Sequence, residues 1–120
     1  MRITTCLFSV WFLVAVGCSQ PKTSPADSPQ SLIRRGAPLV DVRSPREYNI
    51  GHVTGSTNLP IDELEKRIAE VAPDKKAPVL VHCQSGGRSA AATQKLKSMG
   101  YKNVVDLGSL ANARKVTEGQ

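Results

Sequence analysis

The run "APVLVHC" (77–83) restricts the fold of this chain more than any other stretch of the sequence. It is apolar and rich in β-branched residues, and it lies between Pro78 and a loop of small residues. Strands that are buried on both faces of a parallel sheet have this composition, because helices cover them on each side. We therefore expect a central parallel strand that ends at Cys83.

Other strand-like and helix-like segments alternate with this run. "PLVDVR" (38–43) and "NVVDL" (103–107) predict strands, and "TNLP" (57–60) ends a further extended segment. "IDELEKRIAEVA" (61–72) and "RSAAATQKLKSMG" (88–100) have apolar residues at helical spacing. The alternation predicts an α/β domain with a mostly parallel sheet and helices on both faces.

The two predicted helices carry more detailed expectations. The first helix places Ile61, Leu64, Ile68 and Val71 on its apolar face, with Asp62 and Glu65 as a capping pair. The second places Ala92, Leu96 and Met99 on one face and stops at Gly100. Only 4% of the 120 residues are aromatic, so we expect a core of Val, Leu, Ile and Ala.

The first residues are expected to lie outside the folded domain. "CLFSVWFLVAVG" (6–17) suits the apolar part of a secretory signal and is shorter than the roughly 20 residues that span a bilayer. "VAVGCSQ" (14–20) resembles a bacterial lipoprotein signal, in which Gly17 would precede a lipidated Cys18. Ordinary secretion is the alternative.

The domain boundaries follow from this interpretation. We predict a signal peptide over 1–17, a spacer over 18–30 that is rich in proline and serine, and a single domain over 31–120. The resemblance implies an exported protein on the periplasmic or cell-envelope side of a bacterial membrane, anchored by acyl chains on Cys18.

Charge and cysteine content narrow the possible functions. The net charge of +6 is spread along the chain, without zinc-finger spacing or a basic stripe with interleaved aromatics, so nucleic-acid binding is not expected. Of the three cysteines, Cys6 lies in the leader and Cys18 would be lipidated. Cys83 is then the only free thiol of the mature domain, which marks it as a candidate reactive group.

The segment after Cys83 has the composition of an anion-binding loop. Gln84, Ser85, Gly86 and Gly87 are small or flexible enough to turn their backbone N–H groups inward, and Arg88 opens a predicted helix. The helix N-terminus and a guanidinium would both lower the pKa of a thiol at Cys83. The pattern favours an activated sulfur nucleophile over a merely buried cysteine.

Three separated motifs resemble the rhodanese-type sulfurtransferases. These are "CQSGGRS" (83–89), "LVDVRSPREYNIGHVTGSTNLP" (39–60) and "GYKNVVDLG" (100–108). The resemblance implies a single-domain rhodanese in which Cys83 takes sulfur from thiosulfate or a similar anionic donor as a persulfide. Cyanide or a cellular thiol would then accept that sulfur. No metal or organic cofactor is implied, and we expect a monomer.

The resemblance also assigns supporting roles. We expect Asp41, Arg43 and Glu47 to form supporting ion pairs rather than to act as catalytic groups. The sequence departs from the family at Ser109, where a second glycine is usual. We therefore expect the wall of the pocket that the C-terminus contributes to be short or open, which would affect the range of substrates.

Two other functions stay open at this point. Cysteine phosphatases place five residues between their Cys and Arg, whereas "QSGG" supplies four. A non-catalytic binding or regulatory module is the other alternative, because a fold alone does not fix a function.

Overall fold

A parallel four-stranded sheet forms the centre of the molecule. The computed structural model describes residues 28–119. The strands are β1 (Leu39–Asp41), β2 (Ser56–Asn58), β3 (Val79–His82) and β4 (Val104–Gly108), in the spatial order β2-β1-β3-β4. All three strand pairings are parallel. The predicted α/β class is therefore confirmed, and β3 is an inner strand.

Five helices connect and flank these strands. They are α1 (Pro29–Arg34), α2 (Pro45–Ile50), α3 (Leu64–Val71), α4 (Gly87–Ser98) and α5 (Leu110–Glu118). Parallel neighbours need a crossover connection. Helices α2 to α5 accordingly begin within a few residues of the carboxyl end of a strand, which gathers several helix N-termini at one edge of the sheet.

The core has one layer on each side of the sheet. One cluster packs α3 and α4 against the face that carries Val40, Val79 and Val81. The other cluster packs α1 and α5 against the face that carries Leu39 and Leu80. Successive residues of a strand point to opposite faces, which explains this division. The expectation of helices on both faces is confirmed.

Most of the detailed helix predictions agree with the structure. Leu64 and Ile68 of α3 and Ala92 and Leu96 of α4 are buried, and Gly100 follows α4 with a φ of 97°. The predicted capping pair is wrong, because α3 begins at Leu64 and its N-cap residue Glu63 makes no side-chain capping bond. Asp62 lies before that start, and Glu65 is the second residue of the helix.

The ends of the domain differ from the expectation. Helix α1 begins at Pro29 and its N-cap Ser28 accepts a hydrogen bond from the Ser31 N–H, so folded structure begins before the boundary expected at residue 31. The predicted signal peptide, Cys18 and most of the predicted spacer lie outside the described residues. Between residues 28 and 119, no helix is long and apolar enough to cross a membrane.

The C-terminal segment is a helix rather than the short or open end expected from Ser109. The hydroxyl of Ser109 accepts a hydrogen bond from the backbone N–H of Asn112 at 3.1 Å and so caps α5. Leu110, Ala113 and Val116 of this nine-residue helix are buried against the sheet. Ser109 thus starts an element that closes one side of the core.

Candidate active site

Cys83 lies directly beyond the carboxyl end of the inner strand β3. Its backbone N–H donates to the carbonyl of Gly108 at 2.9 Å, which ties it to the end of β4. The residue is only 1% exposed and its side chain joins the cluster formed with α3 and α4. Ligands of open parallel sheets bind at this edge, so the topology places the one cysteine of residues 28–119 where a site is expected.

A tight turn brings backbone donors to the sulfur. The N–H of Gly86 donates to Sγ of Cys83 at 3.0 Å. Gly86 has a φ of 109°, a backbone conformation that favours glycine, and it is the N-cap residue of α4. Gly87 is already the first residue of the helix. The N-terminus of the 12-residue α4 therefore begins beside the thiol.

The surroundings of Cys83 favour its thiolate. Burial raises the pKa of this thiol, but hydrogen bonds from Ser89, through its N–H and its hydroxyl, and from the N–H groups of Gly86 and Ser85 outweigh that effect. The net result is a pKa below the ordinary thiol value. These donors act because they stabilise the charged form more than the neutral one.

Ser89 is a site residue that the sequence reasoning missed. It is fully buried in the first turn of α4. Its hydroxyl lies 3.0 Å from the carbonyl oxygen of Gly86 and 3.4 Å from that of Gly108. A hydroxyl carries one proton and can rotate between acceptors, so Ser89 can serve either the loop carbonyls or the sulfur. The available signal was a serine in the first helical turn after the cysteine loop.

Arg88 is held by Glu47 rather than by the cysteine loop itself. Its two terminal nitrogens donate to the two carboxylate oxygens of Glu47 at 2.7 and 2.8 Å. This bond with Arg88, followed by hydrogen bonds from Ser44, holds the pKa of Glu47 far below its usual range. Hydrogen bonding to Glu47 raises the pKa of Arg88, and the charge of Cys83 adds to that rise. Arg88 thus supplies a fixed positive charge near the sulfur.

A buried ion pair between Asp41 and Arg43 contacts the cysteine loop. Arg43 is 2% exposed and Asp41 is fully buried, and their side chains meet at 2.7 Å. The Arg43 guanidinium also donates to the side chain of Gln84 at 3.1 Å and to the carbonyl of Gly51 at 2.8 Å. Because Arg43 contacts Gln84, the loop residue after the cysteine is tied to the segment that follows β1.

The start of α5 holds the other side of the loop. Ser85 forms an isolated antiparallel bridge with Ser109, and the N–H of Leu110 donates to the carbonyl of Gln84 at 3.2 Å. Ser109, which departs from the family pattern, therefore contacts the cysteine loop directly through its backbone.

The two histidines make structural contacts. Nδ1 of the buried His82 lies 3.1 Å from the carbonyl oxygen of Cys83, and its Nε2 lies 3.7 Å from Asp41 without a hydrogen bond to any described residue. His52 stacks on Tyr48 at 3.8 Å between ring centroids and contacts its carbonyl through Nδ1. Neither ring contacts Sγ of Cys83 through a hydrogen bond in the described part of the chain.

All of the predicted site residues within the described range meet at one edge of the sheet. Cys83, residues 84–87 and Arg88 form the centre. Asp41, Arg43 and Glu47 lie around it. Cys18 lies outside the described range. Residues 28–119 hold no group of three or more His, Cys, Asp or Glu side chains suited to a metal ion. The arrangement can present a thiolate to an electrophilic atom and stabilise negative charge beside it.

The family follows from comparison with known proteins. The sequence profile of the rhodanese-like domain matches residues 25–112, so the chain belongs to the rhodanese-like domain family. Among its relatives is the thiosulfate sulfurtransferase PspE of Escherichia coli K12, which is 42% identical over 71 residues. Those residues are 59% of this chain and 68% of the relative.

A second relative and two solved structures agree with this assignment. The thiosulfate sulfurtransferase GlpE of Pseudomonas fluorescens Pf-5 is 35% identical over 89 residues, which cover 74% of this chain and 80% of the relative. A structure of a rhodanese with anions from E. coli superposes with a TM-score of 0.61 at 39% identity, covering 63% of this chain and 89% of that one. The human single-domain sulfurtransferase TSTD1 gives a TM-score of 0.58 at 32% identity, with coverages of 64% and 80%.

Proposed function

We propose that this protein is a sulfurtransferase that carries sulfane sulfur on Cys83. The observation that supports it most is the 3.0 Å hydrogen bond from the Gly86 N–H to Sγ of Cys83, together with the lowered pKa of that thiol. A stabilised thiolate is the form that attacks sulfur. The names of the two bacterial relatives, both thiosulfate sulfurtransferases, favour the same chemistry.

The first half-reaction loads the cysteine. The Cys83 thiolate attacks the outer sulfur of thiosulfate and forms a new S–S bond. The S–S bond of thiosulfate breaks and its electron pair leaves with sulfite. The product is an anionic persulfide, whose terminal sulfur would be stabilised by the loop N–H groups and by the N-terminus of α4.

The second half-reaction unloads it. Cyanide, or the thiolate of a cellular acceptor, attacks the terminal sulfur and takes it, and the persulfide bond's electron pair returns to Cys83. Cyanide gives thiocyanate and a thiol acceptor gives a new persulfide. No proton or electron need be supplied by a cofactor, and no cofactor is proposed. Donor and acceptor would be small molecules or thiols, acting on a monomeric protein.

The supporting residues would act through position. In this proposal Arg43 holds Gln84, and Glu47 holds Arg88, so that the amide donors stay aimed at the sulfur. Asp41 neutralises Arg43 within the buried pair. Because folding already fixes these positions, the loop needs no further ordering when the donor reacts.

Thiocyanate formation from thiosulfate and cyanide tests this proposal. The Cys83→Ser variant is expected to form no thiocyanate above the uncatalysed rate while its circular dichroism stays native. Cys18→Ser is the matched control and keeps the wild-type rate. Native-like turnover by Cys83→Ser contradicts the mechanism. If the wild-type protein is folded and reduced but inactive with several sulfur donors, a binding or regulatory module becomes the better description.

The position of Arg88 argues against the phosphatase alternative. Four residues separate it from Cys83, and both of its terminal nitrogens are bonded to Glu47. A phosphate group needs a forked guanidinium that is free to face it. Hydrolysis of a generic aryl phosphate that depends on Cys83 would reverse this preference.

We also propose export and lipid anchoring at Cys18. The support is the sequence alone: an apolar run over 6–17 that ends at Gly17 and is followed by Cys18. Labelling with a radioactive fatty acid in the native host is expected to mark the wild-type chain and Cys6→Ser, but not Cys18→Ser. Soluble, unlabelled protein in the culture medium or periplasm would point to ordinary secretion instead.

A further inference from the structure

A groove lies at the end of the sheet opposite to Cys83. It has a volume of about 570 Å³ and runs between α1, the end of α4 and the starts of β3 and β4. A smaller groove of about 320 Å³ shares Leu32, Arg35 and Pro78 with it, so the two are continuous. The floor is apolar, with Leu32, Pro78, Val104 and Val105.

Positive charge surrounds this groove. Its rim carries Arg35, Lys97 and Lys102, all of which are exposed. Arg35 also donates to the hydroxyl of Ser31 at 3.2 Å.

The two connecting segments beside the groove add to this charge. They are residues 72–78 and 99–103, which are joined by the hydrogen bond from the Lys102 N–H to the Lys75 carbonyl at 2.8 Å. They contain Lys75, Lys76 and Lys102 against a single acidic residue, Asp74. An apolar floor with a basic rim is the combination found on surfaces that bind anionic membranes.

The N-terminal chain arrives beside this groove. Helix α1 has six residues, about 9 Å at 1.5 Å per residue, and it holds the lining residue Leu32. Ser28 at its start is preceded by 27 residues that include the apolar run 6–17. Ser28 is eleven positions beyond the end of that run, a span of at most about 40 Å for a fully extended chain, so a membrane that holds the run would lie within that distance of α1.

We infer that the groove and its basic rim are a docking surface for a bilayer that contains anionic phospholipid. The inference goes beyond sulfur transfer, and it needs no lipid on Cys18. Pro78 and Cys83 lie five residues apart along β3, which is about 16 Å for an extended chain. Docking through the groove thus leaves the cysteine loop on the side that faces away from the membrane.

Binding of the full 120-residue chain to lipid vesicles tests this surface. The vesicles are phosphatidylcholine alone or phosphatidylcholine mixed with phosphatidylglycerol. A basic residue near an anionic surface contributes about fivefold in binding. The pair Lys97→Gln and Lys102→Gln is therefore expected to weaken binding to the anionic vesicles about 25-fold.

A control pair separates this site from a general charge effect. Lys66→Gln with Lys115→Gln changes the net charge equally, and both side chains are exposed and outside the groove. This control is expected to bind within a few fold of wild type, and the apolar run 6–17 is common to all variants. Equal losses for both pairs, or no preference of wild type for anionic vesicles, would overturn the docking surface. Neither result would bear on thiocyanate formation, which is measured without lipid.

Discussion

Arg88 and Glu47 form a two-bonded ion pair that joins the cysteine loop to the helix after β1, 41 residues earlier in the chain. The same carboxylate accepts hydrogen bonds from the N–H and hydroxyl of Ser44 and so completes the capping box of α2. One glutamate therefore serves both a helix start and the arginine next to the thiol. Its removal is expected to disturb both.

Glu47→Gln should lower the free energy of unfolding by about 1 kcal/mol. The pair is about one-third exposed, 39% for Arg88 and 33% for Glu47, so solvent screening limits its worth. The capping contribution falls in the same range. Urea unfolding measures the change. Glu63→Gln, which breaks the more exposed pair with Arg67, is the matched control and should cost less than Glu47→Gln because solvent screens it more. Equal losses for the two variants would contradict the structural role of Glu47.

The pH dependence of stability should also report on Glu47. Its folded pKa lies below the ordinary carboxyl value of 4.5. Above pH 4.5 the group is ionised in both states and its contribution is fully present. As the pH falls below that value, the unfolded chain takes up a proton while the folded state does not, so stability is lost. Urea unfolding at several pH values should show a smaller loss on acidification for Glu47→Gln than for wild type. Parallel pH profiles would contradict the low pKa.

Ser89→Ala should raise the pKa of Cys83 towards the ordinary thiol value. The Ser89 hydroxyl is one of the donors that favour the thiolate. The pH dependence of alkylation by iodoacetamide measures this pKa directly, because only the thiolate reacts.

Ser98→Ala is the control for that measurement. Ser98 lies at the end of α4 and its exposed hydroxyl donates to the carbonyl of Gln94 at 3.0 Å, so its removal should leave the alkylation midpoint unchanged. An unchanged midpoint in Ser89→Ala, with a native circular dichroism spectrum, would show that the Ser89 hydroxyl serves only the loop carbonyls.

Arg43→Met should be the most destabilising of these changes. It leaves the fully buried Asp41 without its guanidinium and frees the side chain of Gln84. Breaking a buried ion pair from one side costs about 3–5 kcal/mol. Arg46→Met, at an exposed neighbouring position, should change stability by less than about 0.5 kcal/mol. A loss below about 1 kcal/mol for Arg43→Met would mean that Asp41 finds other partners.

The sequence predicted the sheet and the cysteine loop because strong local patterns mark both. The run before Cys83 is apolar throughout, and the glycines after it leave few alternatives to a turn. Helix α2 was missed because none of its six residues is buried, although Ser44 and Glu47 form a capping box at the standard spacing. Helix α5 was missed although Leu110, Ala113 and Val116 recur at helical spacing.

Contacts between distant residues explain the rest of what was missed. Arg88 was expected beside the anion-binding loop. The sequence did not show that Glu47 would accept hydrogen bonds from both of its terminal nitrogens. Ser109 was expected to leave the C-terminal wall of the pocket short or open; the sequence did not show that it pairs with Ser85 and caps the start of α5. Such pairings depend on how the strands are ordered, which one sequence does not display.

The most direct test of sulfur transfer is the intact mass of the reduced protein after incubation with thiosulfate, before and after cyanide is added. We predict that the protein gains the mass of one sulfur atom on Cys83 and that cyanide removes it with release of thiocyanate. Cys83→Ser should gain nothing. A folded, reduced wild-type protein that gains no sulfur from thiosulfate or from another sulfane donor would contradict the proposed persulfide cycle.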